Sequence, residues 1–296
     1  MENFLNNVYL GRNDAWRYLM TVFMSFVASN VGAGLMVGVI IAAILLLKGG
    51  AGALGDISAF SGPTLLLMVA IGFSASMFFL YVGLKFIHKR DFISAVNSRG
   101  YLDWRRILRG AGAWFLIVVV LDLVSVLADP SGVRFNFGAG FWWLLILAIL
   151  AFPVQASFEE IFFRGYLMQG LWALIKRPVP LIIINSAIFS VLHWSNGSNL
   201  SMSLSITVST FIIGVVLALV TLADDGVEMA MGVHIANNLY VSVIHSSPDA
   251  GLGDLPSLMV SPSDPYTSPL TLLLASALLV LILFRGRYQD LGRIFR

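Results

Sequence analysis

The chain has 296 residues, of which 58% are hydrophobic and 11% are charged, and its formal net charge is +2. Soluble domains carry about 25% charged residues, so this composition excludes an ordinary soluble protein and indicates a polytopic integral membrane protein. The sequence contains no cysteine, which excludes a disulfide framework, a thiolate metal site and a cysteine nucleophile. We therefore expect membrane lipid as a partner, and no nucleic acid.

Eight apolar runs are candidates for membrane-spanning helices, because about 20 helical residues cross a hydrocarbon core of about 30 Å. They are residues 18–47, 64–87, 111–128, 141–175, 181–194, 202–223, 227–244 and 270–284. The sequence contains no visible repeat or second domain. We predict an all-α fold, a bundle of about eight transmembrane helices, with residues 1–296 forming a single membrane domain.

The basic residues are unevenly distributed between the two sides that eight helices define. One side holds the N-terminus, residues 85–109, the turn at Lys176 and Arg177, and a tail with Arg285, Arg287, Arg293 and Arg296, whereas the other holds Lys48 and Arg134. By the positive-inside rule, both termini are predicted to be cytoplasmic. The short loops and compact length favour a bacterial inner membrane.

Ionisable and amide side chains interrupt three of the apolar runs. They are Glu159, Glu160 and Arg164 in the fourth run, His193 in the fifth, and His234 and Asn238 in the seventh. A charge at the bilayer centre costs about 2.5–3.5 kcal/mol on insertion scales, so such residues indicate function. Carboxylate, imidazole and carboxamide are also the groups that a hydrolase needs.

Helical geometry predicts how these side chains meet. If the fourth and fifth runs form an antiparallel hairpin turning at Arg177, Glu159 and His193 both lie about 25 Å from the turn and should face each other. Glu160 and Arg164 are four residues apart, so they share a helix face and can pair.

His234 and Asn238 share a face of the seventh run in the same way. Both could donate hydrogen bonds to an oxyanion in front of that face. We therefore predict that Glu159 and His193 deprotonate a water that attacks a peptide carbonyl, and that His234 and Asn238 stabilise the oxyanion. A second interpretation keeps the same residues but adds a metal: Glu159, His193 and His234 would be the two-histidine, one-carboxylate ligands of a catalytic zinc. The sequence does not choose between the two.

Three short patterns, in this order on successive apolar helices, resemble the motifs of the CAAX prenyl protease type II family, also called the CPBP intramembrane protease family. The patterns are Glu159-Glu160-x-x-x-Arg164, Phe189-x-x-x-His193 and His234-x-x-x-Asn238. The resemblance covers about residues 145–245, and residues 1–110 carry no motif of this kind.

The resemblance implies an intramembrane endopeptidase of a family described as metalloproteases. It implies that Glu159, His193, His234 and Asn238 carry the reaction, and that Glu160 and Arg164 support it. The implied partner is a peptide or protein substrate, for which a prenylated C-terminal tail is one candidate.

Two other functions fit the same residues. A transporter or channel also uses buried Glu, Arg and His, although the absence of a sequence repeat disfavours it. A catalytically silent family member could act as a scaffold or immunity factor. Outside the motifs, we expect Asp122 to make a polar contact between helices, and His88, Asp224 and His245 to be solvated at helix ends.

Overall fold

The protein is a bundle of apolar helices, seen in a computed structural model that describes residues 2–47, 62–253 and 255–295. The helices are α1 (Glu2–Asn6), α2 (Ala15–Phe23), α3 (Ser29–Leu47), α4 (Gly62–Val82), α5 (Ile93–Val96), α6 (Trp104–Ala128), α7 (Ala139–Glu160), α8 (Met168–Ile175), α9 (Pro178–Val191), α10 (Leu200–Asp224), α11 (Glu228–Leu239), α12 (Thr267–Leu283) and α13 (Tyr288–Gly292). Each of the eight predicted runs contains helix, so the all-α prediction is confirmed. Lys48 and Arg296, which entered the charge comparison, lie outside the described residues.

Several of these helices have the length and apolar composition that a membrane span requires. Five continuous helical segments qualify: Ala15–Met36, Leu66–Ile87, Trp104–Ala128, Ala139–Ile175 and Leu200–Asp224. Two shorter apolar helices, Pro178–Val191 and Thr267–Leu283, accompany them. The chain is therefore a polytopic integral membrane protein.

Within the described residues, four π-helical turns extend or join these helices. They are Met24–Ala28, Gly83–Ile87, Ile161–Leu167 and Tyr240–Ile244. The third turn joins α7 to α8, which is why one helical segment fills the unusually long fourth run. A π turn widens the helix locally and rotates the residues that follow it, and such turns are frequent at functional sites.

A small sheet closes one end of the bundle. Its strands are β1 (Arg134–Phe135), β2 (His245–Ser246) and β3 (Met259–Val260), in the order β1-β3-β2, with β1 antiparallel and β2 parallel to β3. The sheet ties the connection between α6 and α7 to the segment that follows α11. His245 is not solvated as predicted, because its Nδ1 lies 2.8 Å from the carboxylate of Asp122. The predicted polar contact of Asp122 is thereby confirmed.

Ion pairs hold together the opposite end of the bundle. Arg99 Nη2 lies 2.7 Å from a carboxylate oxygen of the buried Glu228. Arg106 and Arg287 both pair with Asp224, the latter at 3.3 Å. Asp224 is buried, and the prediction that it is solvated is wrong, because Arg106 on α6 and Arg287 in the C-terminal tail both pair with it.

Close backbone contact joins α6 and α11 near this end. A Cβ added to Gly110 would overlap the carbonyl oxygen of Met229, and one added to Gly232 would overlap the carbonyl oxygen of Ile107. Small residues let membrane helices approach in this way. Close approach increases the dispersion contacts between the helices, which matter because the hydrophobic effect does not drive helix association within lipid. The two glycines therefore set the separation of α6 and α11.

We predict that Gly232→Ala destabilises the protein by about 1–3 kcal/mol, because the added methyl meets backbone atoms that cannot move aside. The measurement is the thermal unfolding midpoint of the detergent-solubilised protein, followed by tryptophan fluorescence. Gly112→Ala is the matched control, since an added Cβ on this α6 residue meets nothing within 4 Å. Equal midpoints for the two variants would contradict the prediction.

The N-terminal segment buries His88, which was also predicted to be solvated. The His88 side chain is fully buried, with Nδ1 2.8 Å from the carbonyl oxygen of Arg12 and Nε2 2.9 Å from the hydroxyl of Tyr166. Since the carbonyl can only accept, Nδ1 carries the hydrogen and Nε2 accepts from Tyr166. Burial lowers the pKa of His88 from its ordinary 6.5 to about 4.

This pKa predicts how stability depends on pH. Because the pKa of His88 is lower in the folded protein, the unfolded chain takes up the proton first as pH falls. The stabilisation is complete above about pH 6.5 and is lost as pH falls towards about 4. We expect the unfolding midpoint of His88→Gln to fall less than that of the wild type between about pH 7 and about pH 5. Parallel pH profiles would contradict this.

Candidate active site

A buried charge cluster joins α7, the π turn after it, and α11. Arg164 Nη1 donates to Glu160 Oε1 at 2.9 Å, and both side chains are fully buried. The same carboxylate oxygen lies 2.7 Å from Nδ1 of His234. Because the ionised carboxylate only accepts, Nδ1 of His234 carries a hydrogen, and in the neutral form of the ring Nε2 presents a lone pair.

That lone pair faces Glu159. Glu159 is 7% exposed, and its Oε2 lies 3.7 Å from Nε2 of His234. Glu159 Oε1 accepts a hydrogen bond from Gln155 Nε2 at 2.7 Å, whereas Oε2 is buried without a hydrogen-bond partner among the described residues. Two acceptors separated by this gap are suited to a bridging water, which can donate one hydrogen to each.

A chain of amides continues from Glu159 to α6. Asn238 Nδ2 donates to Gln155 Oε1 at 2.7 Å, Asn237 Nδ2 donates to Asn238 Oδ1 at 3.2 Å, and Trp114 Nε1 donates to Asn237 Oδ1 at 3.2 Å. These contacts fix the orientation of the Gln155 and Asn238 amides. Gln155 was not predicted from the sequence, although its position, four residues before Glu159, placed it on the same helix face.

Phe189 links His193 to this cluster. The Arg164 guanidinium lies 4.2 Å above the Phe189 ring, and the centroids of the His234 and His193 rings are 6.1 and 4.5 Å from its centroid. The half-buried His193 places Nδ1 2.9 Å from the carbonyl oxygen of Phe189, so Nδ1 carries a hydrogen and, in the neutral form of the ring, Nε2 carries a lone pair. In the described part of the chain, no hydrogen bond or ion pair joins His193 to Glu159. The predicted meeting of these two side chains stays a prediction.

The hairpin that carries Phe189 turns where the sequence predicted. Lys176 caps the C-terminal end of α8 in the left-handed conformation, with φ of 47°. Pro178 is the first residue of α9, where a backbone N–H would find no acceptor within the helix, so proline costs no hydrogen bond there. Asn185 Nδ2 donates to the carbonyl oxygen of Phe163 at 2.8 Å, which ties α9 to the π turn. The hairpin thus holds α9 against the segment that contains Arg164.

The donor set does not favour a bound metal. Among the described residues, no three His, Asp or Glu side chains are grouped so that they could hold a metal ion. Glu159 and His234 are close together. In the described residues, no hydrogen bond or ion pair joins His193 to Glu159 or to Glu160. The zinc-ligand role of Glu159, His193 and His234 stays a prediction, and no step proposed below uses a metal.

Comparison with known proteins points to the same part of the chain. Residues 140–240 match the family model described as "Type II CAAX prenyl endopeptidase Rce1-like". A stretch of 182 residues is 31% identical to "Uncharacterized protein YyaK" of Bacillus subtilis (strain 168), and it covers about 60% of this chain and 60% of that relative. No solved structure matches. Residues 140–240, which hold the charge cluster and the amide chain, are therefore similar to the type II CAAX prenyl endopeptidase Rce1-like family.

Proposed function

We propose that the protein is an intramembrane endopeptidase in which a water between Glu159 and His234 attacks a peptide bond. The observation that carries the proposal is the pair of facing acceptors, Glu159 Oε2 and His234 Nε2, 3.7 Å apart in a buried site. The match of residues 140–240 to a family of prenyl endopeptidases supports this reaction class.

In the proposed reaction, Glu159 Oε2 takes a proton from the water while His234 Nε2 holds the other hydrogen. The oxygen of the water attacks the carbonyl carbon, and the protonated Glu159 then passes its proton to the leaving amine as the C–N bond breaks. Gln155 holds the other oxygen of Glu159 and so fixes which oxygen faces the water. A base held in this way needs little reorganisation during the reaction.

The oxyanion needs a hydrogen-bond donor, and we assign this role to Asn238. Its Nδ2 uses one hydrogen on Gln155, which leaves the second for the substrate. The sequence predicted the same role for His234, but Nδ1 of that ring is committed to Glu160, and in the neutral form of the ring Nε2 is an acceptor. We keep His193 as a second proton acceptor, supported by its unshared Nε2 and by its contact with Phe189.

The family match and the distribution of charge support a proposal for the substrate and for the orientation of the protein. We propose a peptide or protein substrate, with a prenylated C-terminal tail as the first candidate to test. We also propose that both termini face the cytoplasm of a bacterium and that the site opens on that side. The support is that the end of the bundle with the Asp224 and Glu228 ion pairs collects the basic segments.

We expect Glu159→Gln to lower peptide cleavage by about 100-fold to 10,000-fold, because the amide cannot accept the proton. The assay follows fluorogenic peptides, with and without a prenylated CAAX terminus, in proteoliposomes. Asp249→Asn is the control, since it removes a carboxylate that lies outside the cluster. Full cleavage by Glu159→Gln, or substrate-coupled proton flux without cleavage, would contradict the proposal and favour a transporter.

Glu160 and Arg164 are proposed as positioning residues, and a double variant tests this. Arg164→Met leaves Glu160 buried without its cation and should cost about 3–5 kcal/mol of stability. Adding Glu160→Gln removes the uncompensated charge and should restore part of the unfolding midpoint. Peptide cleavage should stay low, because His234 has lost the carboxylate that orients it. Recovery of cleavage together with stability would show that the pair is only structural.

A further inference from the structure

A second cluster of reactive side chains lies at the end of the bundle that the sheet closes. Asp122 on α6 accepts a hydrogen bond from the Tyr240 hydroxyl at 2.6 Å. Asp122 also lies 2.8 Å from Nδ1 of His245, and Nε2 of that ring lies 2.8 Å from the hydroxyl oxygen of Ser261. None of these four side chains belongs to the cluster around Glu159.

The proton positions in this cluster follow from the partners. The Asp122 carboxylate can only accept, so Nδ1 of His245 carries the hydrogen and Nε2 is left with a lone pair. Nε2 therefore accepts the hydrogen of the Ser261 hydroxyl. A hydroxyl paired with a base that is oriented by a carboxylate is the arrangement that activates serine for nucleophilic attack, and it recurs on unrelated folds.

The order of the contacts favours this interpretation over a simple structural tie. If the contact served only to hold the segment after α11 against α6, the hydrogen bond between His245 and Asp122 would be enough. Here the His245 ring also accepts a hydrogen bond from the Ser261 hydroxyl, and the Tyr240 hydroxyl donates a hydrogen bond to the Asp122 carboxylate. The side chains of His245 and Asp122 are 13% and 19% exposed, and Ser261 is half-buried, so the cluster is protected but accessible.

The face of the sheet beside Ser261 indicates the kind of molecule that could reach it. Phe135 pairs with Met259 across the sheet, and Met259 pairs with His245 on the other side. Ser261 directly follows β3, and its hydroxyl oxygen lies 2.8 Å from His245 Nε2, which places it on the same side of the sheet as His245. Phe135 is 70% exposed, which gives this face an apolar surface beside the hydroxyl.

We propose that Ser261, His245 and Asp122 form a second hydrolytic site, which acts on an acyl ester of an amphiphile at the membrane surface. Ser261 Oγ forms a bond to the acyl carbon, and its proton passes to His245 Nε2. The ester C–O bond then breaks, and the alkoxide leaves with that proton as the alcohol. Water, deprotonated by His245, cleaves the acyl-serine to release the carboxylic acid and restore the hydroxyl.

A fluorophosphonate probe tests the nucleophile directly, because it forms a stable adduct with an activated serine. The full-length protein in lipid nanodiscs is incubated with the probe, and the adduct is located by peptide mass spectrometry. We expect the adduct on Ser261, with none in Ser261→Ala. His245→Gln and Asp122→Asn should slow labelling by about 100-fold or more. Hydrolysis of p-nitrophenyl butanoate should be lost in the same variants.

Ser263→Ala is the matched control, since this serine lies in the same segment but its hydroxyl takes no part in the cluster. It should be labelled like the wild type. Unfolding midpoints of all variants show whether a loss of labelling reflects misfolding. Absence of a Ser261 adduct in folded wild-type protein would overturn the proposal. Labelling of Ser261 that His245→Gln leaves unchanged in rate would overturn it too, as would labelling that depends on Glu159 instead.

Discussion

The candidate site depends on one ion pair buried within the helix bundle. Glu160 and Arg164 are both fully buried, so each charge is stabilised chiefly by the other. Removing one partner of a buried pair leaves a charge that water cannot reach, which costs several kcal/mol. The pair forms because the segment Ile161–Leu167 continues α7 as a helix, which keeps Arg164 within reach of Glu160, four residues earlier. His234 completes it by pairing with the same carboxylate oxygen.

This constraint also decides which group is available to react. Glu160 is fixed by Arg164 and His234, whereas Glu159, one residue earlier, points away from it and keeps one oxygen free. Two adjacent carboxylates thus have different surroundings, as carboxylate pairs with separate roles require. The hydrogen bond from His234 to Glu160 in turn sets the tautomer of the ring, and with it the lone pair that faces Glu159.

Local spacing in the sequence predicted much of this arrangement. The pairing of Glu160 with Arg164 follows from their separation along one helix, and Lys176 and Pro178 mark the turn that the charge pattern indicated. Contacts between distant segments could not be predicted in the same way, because they depend on the rotation of each helix about its axis. The burial of His88 by Arg12, 76 residues away, is such a contact, and the pairing of Gln155 with Asn238 is another.

The helices α6 and α11 connect the two polar clusters and also keep them apart. The glycine contacts, the bond from Trp114 to Asn237 and the bond from Tyr240 to Asp122 cross-link this pair at successive heights. His234 and His245 lie on one nearly continuous helical stretch, so their separation along its axis is roughly 16 Å. A single bound water or scissile bond cannot span that distance. The two proposed sites would therefore act on different bonds, and a change in one should leave the chemistry proposed for the other intact.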